Sequence, residues 1–267
     1  MSRIPFEQLP ADVRQAVVDK TGTVHEAQTV RGGMNSGIAS VLETESGSVF
    51  VKGIPADHAQ AGAQRREAAI APHLPASCPR LYWHLELDGW SLLGYEVVDG
   101  RHADYTPGSP DLPLVEAALT ELQGVTAPAD IEIKNAMDRW AEYAPPGTSQ
   151  YFGGDALLHT DFAPDNVLIV GERARIVDWA WPTRGAAWID PGALALRLME
   201  AGHTVEAAVA FAGRFPSWRE VEPDALAAFG AATAALWKEI AEGAEVLWKR
   251  GMAEHAATLA RILGGRL

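Results

Sequence analysis

The chain has 267 residues, 35 of them acidic and 22 basic, for a net charge of −13 at neutral pH. That balance argues against a nucleic-acid partner, because phosphate backbones demand basic surface, and the single cysteine, Cys78, excludes both an intramolecular disulfide and a multi-cysteine metal site. There is no apolar run of membrane-spanning length and no signal-peptide core in Met1-Ser2-Arg3-Ile4-Pro5-Phe6-Glu7, so the expectation is a soluble cytoplasmic protein without a membrane partner.

In chain order, Leu9, Val13, Ala16 and Val17 recur at helical spacing and predict a helix over 9–18. Two strands follow, Thr23 to Val30 and Ile38 to Thr44, joined by Arg31-Gly32-Gly33-Met34-Asn35-Ser36-Gly37. Glycines let a backbone come close to phosphates, and exposed amide N–H groups make an anion-binding concavity, with Gly32, Gly33, Asn35 and Ser36 as the candidates. A plain Gly-rich hairpin turn describes the same residues. The segment is not a Walker A loop, since Ile38 stands where its Lys must be.

The next strand, Ser48 to Ile54, carries Lys52, and a helix is predicted from Pro55 through Ile70 with Glu67 on it. A lone strand Lys is ordinarily a solvated edge residue. An ion pair with Glu67 would instead aim its ammonium at nucleotide phosphates, with Arg65 and Arg66 competing for the carboxylate. Trp90 to Val98 is a further strand that runs into Asp99-Gly100-Arg101, a change of composition that marks a linker. Adenine is read by backbone groups in such a hinge, and Glu96 and Val98 are the candidates. A buried strand ending in a turn fits them equally well.

Beyond the linker, helices are predicted over 111–125 and 133–143, and a Pro- and Gly-containing loop over 144–149. Four Ala- and Leu-rich helices follow near the end of the chain, over 189–201, 205–215, 223–242 and 244–263. The expected class is α+β. Residues 1–98 are expected to form an N-terminal lobe, 99–104 a hinge, and 105–267 a larger, mostly helical lobe.

The chemistry concentrates in His159-Thr160-Asp161-Phe162-Ala163-Pro164-Asp165-Asn166 and, a hairpin later, Ile176-Val177-Asp178-Trp179. The strands Val167 to Val170 and Ala174 to Val177 return Asp178 to the neighbourhood of Asn166, so that one charged and one neutral oxygen can face the same hard cation. Asp161, on the loop, is a proton acceptor for an attacking hydroxyl. Singly, each is an ordinary turn residue. Together with Lys52 they read as a kinase site using ATP and Mg²⁺.

With these residues assembled, the chain resembles the aminoglycoside phosphotransferase and choline kinase-like family. His159-x-Asp161-x-x-Pro164-x-Asn166 and Asp178-Trp179 carry the resemblance, which runs from the glycine loop to the helices after Asp190-Pro191. It implies a bilobal protein-kinase-like fold, with a small lobe of antiparallel sheet and one main helix, and transfer of the γ-phosphoryl group of ATP to a small-molecule hydroxyl. By it, Asp161 is the base, Asn166 and Asp178 bind Mg²⁺, Lys52 meets the nucleotide phosphates and Glu67 orients Lys52. His159 and Asp190 are structural at the site. Two departures stand out. Thr160 replaces the usual Gly, and Leu194 replaces the second Asp of an Asp-Pro-x-x-Asp pattern.

The acidic charge is read either as general solubility or as a cleft that attracts a cationic antibiotic or amino sugar or alcohol. Asp99, Asp104, Asp111, Glu200, Glu206, Glu220 and Glu222 are the candidates for that cleft, and antibiotic resistance is one biological role it would serve. Among nine tryptophans, Trp237 and Trp248 are expected in the core. Trp179, Trp181 and Trp188 either line the acceptor pocket, Trp181 foremost, or simply pack. No obligatory protein partner is expected. Two other functions compete: a nucleotide-binding pseudokinase with a regulatory role, and a metal-dependent hydrolase using His159, Asp161 and Asp178 as ligands.

Overall fold

A computed structural model describes residues 3–30, 36–243 and 246–265 of the protein. Helix α1 (Ala11–Thr21) opens directly after Pro10. Strands β1 (Val24–Thr29), β2 (Ile38–Thr44) and β3 (Gly47–Pro55) follow, then helix α2 (Ala61–Ile70), and strands β4 (Leu81–Leu87) and β5 (Trp90–Glu96). The five strands form one antiparallel sheet in the order β1-β2-β3-β5-β4.

The period of two along β3 decides what Lys52 can do. Side chains alternate between faces of a strand, and Val49 and Val51 are buried with Phe6, Leu9, Val13 and Val17, on the face that α1 covers. Lys52 therefore projects to the other face, where α2 buries Gln64, Glu67 and Ile70 at helical spacing. Helix α2 begins six residues later than predicted, because β3 extends its pairing with β5 as far as Pro55 opposite Trp90.

The crossover to the second lobe is not a free linker. Strand β6 (Arg101–His102) is followed by α3 (Leu112–Gln123), β7 (Lys134–Asn135) and α4 (Ala136–Trp140). Next come β8 (Ala156–Leu158), β9 (Val167–Val170), β10 (Arg173–Ile176) and β11 (Thr183–Gly185). β6 pairs with β9, and a Cβ on Gly100 would lie 2.7 Å from the Ile169 carbonyl oxygen, so the chain can pass this closely only as glycine. Arg101 grips the buried Asp111 with both guanidinium Nη groups.

The predicted helix over 133–143 is reduced to α4. Lys134 and Asn135 pair as a strand with β11 instead, and the Asn135 side chain accepts from the Met137 amide at 2.8 Å, capping the short helix. The remaining helices are α5 (Ile189–Glu200), α6 (Val205–Ala212), α7 (Pro216–Arg219), α8 (Pro223–Glu242) and α9 (Leu247–Leu263). The stretch expected as one helix over 205–215 ends at Gly213, and Pro216 starts α7. Residues 244 and 245, expected at the start of the last helix, lie outside the described residues.

Helix α5 is the hub of the larger lobe, with Leu194, Ala195, Leu196, Leu198 and Met199 all buried. Leu194 thus occupies a core position where the familial pattern has a carboxylate. Trp188 packs edge-on against Phe229, with ring centroids 5.5 Å apart, and against Trp218 at 6.5 Å. Each such large apolar side chain contributes roughly 1.5–3 kcal/mol on burial. The molecule is α+β, a sheet-rich lobe joined to a helical one. Among the described residues no helix is long and apolar enough to cross a membrane.

Candidate active site

The site lies where the two lobes meet. Lys52 Nζ is 2.7 Å from Glu67 Oε1 and 3.0 Å from Asp178 Oδ1, so one ammonium joins β3, α2 and the end of the β9–β10 hairpin. The Tyr95 hydroxyl donates to the same Glu67 oxygen at 2.9 Å. Arg65 does not compete for Glu67, because it pairs with Glu86 at 2.6 Å. Burial opposes the charge on Lys52, but the carboxylates of Asp178 and Glu67 outweigh it and raise the ammonium above its ordinary range. The Lys52 charge in turn holds Asp178 below the usual carboxylate range, while burial pushes Glu67 up.

The loop between β8 and β9 is pinned from three directions. Buried Asp190, at the start of α5, accepts from the His159 and Thr160 amides, each at 2.9 Å. His159 Nε2 lies 2.9 Å from the Val177 carbonyl oxygen, and Nδ1 accepts from the Asp161 amide at 3.3 Å. Both ring nitrogens are thus engaged by the backbone around the loop, so His159 braces the loop and has no nitrogen turned to a metal. Burial pushes the Asp190 carboxyl up to about 6, despite its two amide donors.

Asp161 Oδ1 accepts from Arg197 Nη2 at 3.0 Å and from the Ala163 amide at 3.2 Å. The side chain is 45% exposed, and its second oxygen has no partner among the described residues, so it is presented to the cleft. Asn166 Nδ2 donates to the Asp161 carbonyl at 3.2 Å, which orients the amide and leaves its oxygen unengaged. The Val177 amide donates to the Asn166 carbonyl at 2.9 Å and fixes the approach of Asp178 to this loop. An Asn oxygen and a carboxylate with one uncommitted oxygen suit a hard divalent cation. No group of three or more His, Cys, Asp and Glu side chains converges among the described residues, so such a cation would draw its other ligands from nucleotide and water.

Two residues here hold left-handed backbone, Asp178 at φ 63° and Thr160 at φ 69°. That conformation costs an L-residue roughly 1–2 kcal/mol and is rarest for β-branched side chains. Glycine is the residue such a position ordinarily takes, which gives the departure at Thr160 its physical meaning. The Thr160 hydroxyl recovers part of the cost by accepting from Arg139 Nη1 at 2.6 Å.

Other expected positions fall as follows. Gly32, Gly33 and Asn35 lie outside the described residues. Ser36 is half-buried just before β2, and the next amide, of Gly37, donates to the carbonyl of Gly53 beside Lys52. The Glu96 carboxylate is engaged by Arg175 at 3.1 and 3.0 Å and by the Arg80 amide at 3.1 Å. Its backbone carbonyl and half-buried Val98 sit at the crossover. Trp181 is 39% exposed, but Trp179 and Trp188 are buried, so neither opens to a pocket. Trp248, expected in the core, is 44% exposed and stacks edge-on with Trp237 at 6.0 Å. Of the acidic residues considered for a cationic acceptor, Asp111 is neutralised by Arg101, and Glu200 is held by Arg197 at 3.0 Å.

Sequence reasoning did not single out Arg197, Arg139, Arg175 or Tyr95. Arg197 was findable, since it stands seven residues after Asp190 and two helical turns keep both on one face of α5.

No protein-family model and no curated protein matches the sequence. Solved structures do. The apo form of a thermostable mutant of aminoglycoside phosphotransferase APH(4)-Ia superposes with a TM-score of 0.61 at 14% identity, over 94% of this chain and 99% of that one. Choline kinase LicA from Streptococcus pneumoniae gives 0.63 at 12% identity, over 94% and 98%. The fold is that of the aminoglycoside and choline kinases. Related structures of these two enzymes hold nucleotides, a ternary complex of the APH(4)-Ia mutant with ADP and hygromycin B, and LicA with AMP.

Proposed function

We propose that the protein is an ATP-dependent small-molecule kinase, transferring a γ-phosphoryl group to the hydroxyl of a small acceptor. The observation that carries this reading is the convergence on one cleft of Lys52, paired to both Glu67 and Asp178, with Asp161 on the adjoining loop. The aminoglycoside and choline kinase fold supports it.

In this reading Lys52, aimed by Glu67, meets nucleotide phosphates. The glycine loop, through Gly32, Gly33, Asn35 and Ser36, covers them, and the Glu96 carbonyl and Val98 amide receive adenine. Asn166 and Asp178 would hold Mg²⁺, which when bound neutralises charge on the phosphates. Asp161 accepts the proton of the attacking hydroxyl through its uncommitted oxygen, while Arg197 and the Ala163 amide hold the other in place. Positioning and charge do most of the work in such a transfer, and no covalent intermediate with the protein is needed. Residues 1–98 serve the nucleotide, 99–104 act as the hinge and 105–267 carry the base and the acceptor site.

The test is Mg²⁺-dependent consumption of ATP across a panel of hydroxylated acceptors, with Asp161→Asn as control. Turnover should fall about 10²–10⁴-fold in the variant with nucleotide affinity kept, the range expected for loss of a general base. A variant as active as the parent would refute the role of Asp161, and a parent that binds no nucleotide would refute the kinase.

A further inference from the structure

The protein is strongly acidic, yet one wall beside Asp161 is cationic. The parallel pairing of β7 with β11 brings Lys134 under Trp181, with Nζ 4.4 Å from the ring centroid. Arg139, on α4, places its guanidinium carbon 5.7 Å from the same ring and donates to the hydroxyls of Thr160 at 2.6 Å and Thr183 at 2.9 Å. It is thereby tied to the residue next to Asp161. From the other lobe, Arg66 on α2 comes close enough for its charge to act on Lys134.

None of these three cations forms a salt bridge with a carboxylate among the described residues; the nearest acids act on Arg139 only at longer range, from Asp161 and from Asp190, which is turned to the loop backbone. Arg66 Nε is buried without an acceptor. Burial lowers Lys134, and the charges of Arg139 and Arg66 lower it further; burial brings Arg139 down to about 10. Lys134 and Arg139 lie against the same Trp181 ring as like charges. An anion between them would reverse the sign of that interaction. The strained Thr160 points the same way, because its side chain is what fixes Arg139 beside the base.

We propose that Lys134 and Arg139, with Trp181 as a platform, bind an anionic group of the acceptor, a carboxylate or a phosphate, while Asp161 receives the proton of its hydroxyl. This rests on the kinase reading and names the substrate class of that same site. It turns the expectation of a cationic acceptor around: the face of Trp181 is already occupied by the protein's own cations, and an aminoglycoside or choline would meet like charge.

The measurement is titration calorimetry of the full chain saturated with Mg²⁺–ADP. Glycerate serves as the carboxylate probe and glycerol 3-phosphate as the phosphate probe, with choline and kanamycin as cationic probes. One anionic probe should bind, and the arm that binds names the group. Lys134→Gln should weaken that binding at least 10-fold while ADP affinity stays within 2-fold; among the described residues the Lys134 ammonium meets the Trp181 ring and no side-chain hydrogen-bond partner, and its backbone pairing is untouched by the change. Arg139→Lys, which keeps a charge in place of the one nitrogen, Nη1, that donates to both threonine hydroxyls, should weaken it less than Arg139→Gln. Binding of neither anion, preference for a cationic probe, or an equal loss of ADP affinity in Lys134→Gln would each overturn the proposal. Absence of ADP binding to the parent would instead strike at the kinase reading, and the anion titration on the nucleotide-free chain would still decide this one.

Discussion

On the Lys52 side of the cleft a cation and two anions are bound directly to one another, whereas on the Arg139 side two cations lie against one Trp181 ring and neither forms a salt bridge among the described residues. The first arrangement is nearly complete in itself. With Lys52 positive and Glu67 and Asp178 negative, it is short of one positive charge, which a divalent metal ion beside Asp178 would supply. The second is incomplete without something negative. A closed ion network must be built from residues that find each other, so it leaves a motif; an open one needs only to avoid carboxylates, and avoidance has no motif.

The largest expected effect comes from opening the closed side. Glu67→Ala removes a buried carboxylate and leaves the Tyr95 hydroxyl without its acceptor. It should cost about 3 kcal/mol in urea unfolding, at the low end for a broken buried pair because Lys52 keeps Asp178. A loss below about 0.5 kcal/mol would mean that the network contributes no more than a surface pair.

Between the two sides stands Asp190, whose carboxyl is pushed up to about 6 by burial. Its folded value lies above the unfolded one, so the folded state holds the proton more tightly. The stabilisation from that proton is present below about pH 4 and is lost as pH rises through 6. Measured against Asp190→Asn, the parent should lose roughly 2 kcal/mol of relative stability between pH 4 and 7. A difference that is flat with pH would break the assignment.

The smallest effect on stability belongs to Thr160→Gly. Relief of left-handed strain and loss of the hydroxyl bond to Arg139 are each about 1 kcal/mol and opposite in sign, so stability should stay within about 0.5 kcal/mol. What should move is the open side alone: the anion that binds beside Arg139 should bind more weakly, with nucleotide affinity unchanged. Equal weakening of both ligands would erase the distinction between the two walls.

Legibility in the sequence followed the same division. His159, Asp161, Asn166 and Asp178 were readable because a loop and a hairpin of fixed length separate them, and the two strands Val167–Val170 and Arg173–Ile176 alternate clearly enough to be counted. Lys52 and Glu67 were readable from strand and helix periods, although the start of α2 was misplaced by the pairing of Pro55 with Trp90. β6, β7, β8 and β11 were not, since two or three residues are too few to show a period. Lys134 and Arg139 hang on those short strands and on a five-residue helix, so their approach to Trp181 depends on tertiary pairing that no local pattern announces.

The grip of Arg175 on Glu96 has a mechanical consequence. It ties the last strand of the small lobe to the β9–β10 hairpin of the large one, right beside the segment where the chain crosses over. A tether placed at a pivot resists sliding but offers little leverage against rotation, as a pin does in a door. Opening of the cleft would then swing the far rim, where Lys52 meets Asp178, and leave the width beside Glu96 unchanged.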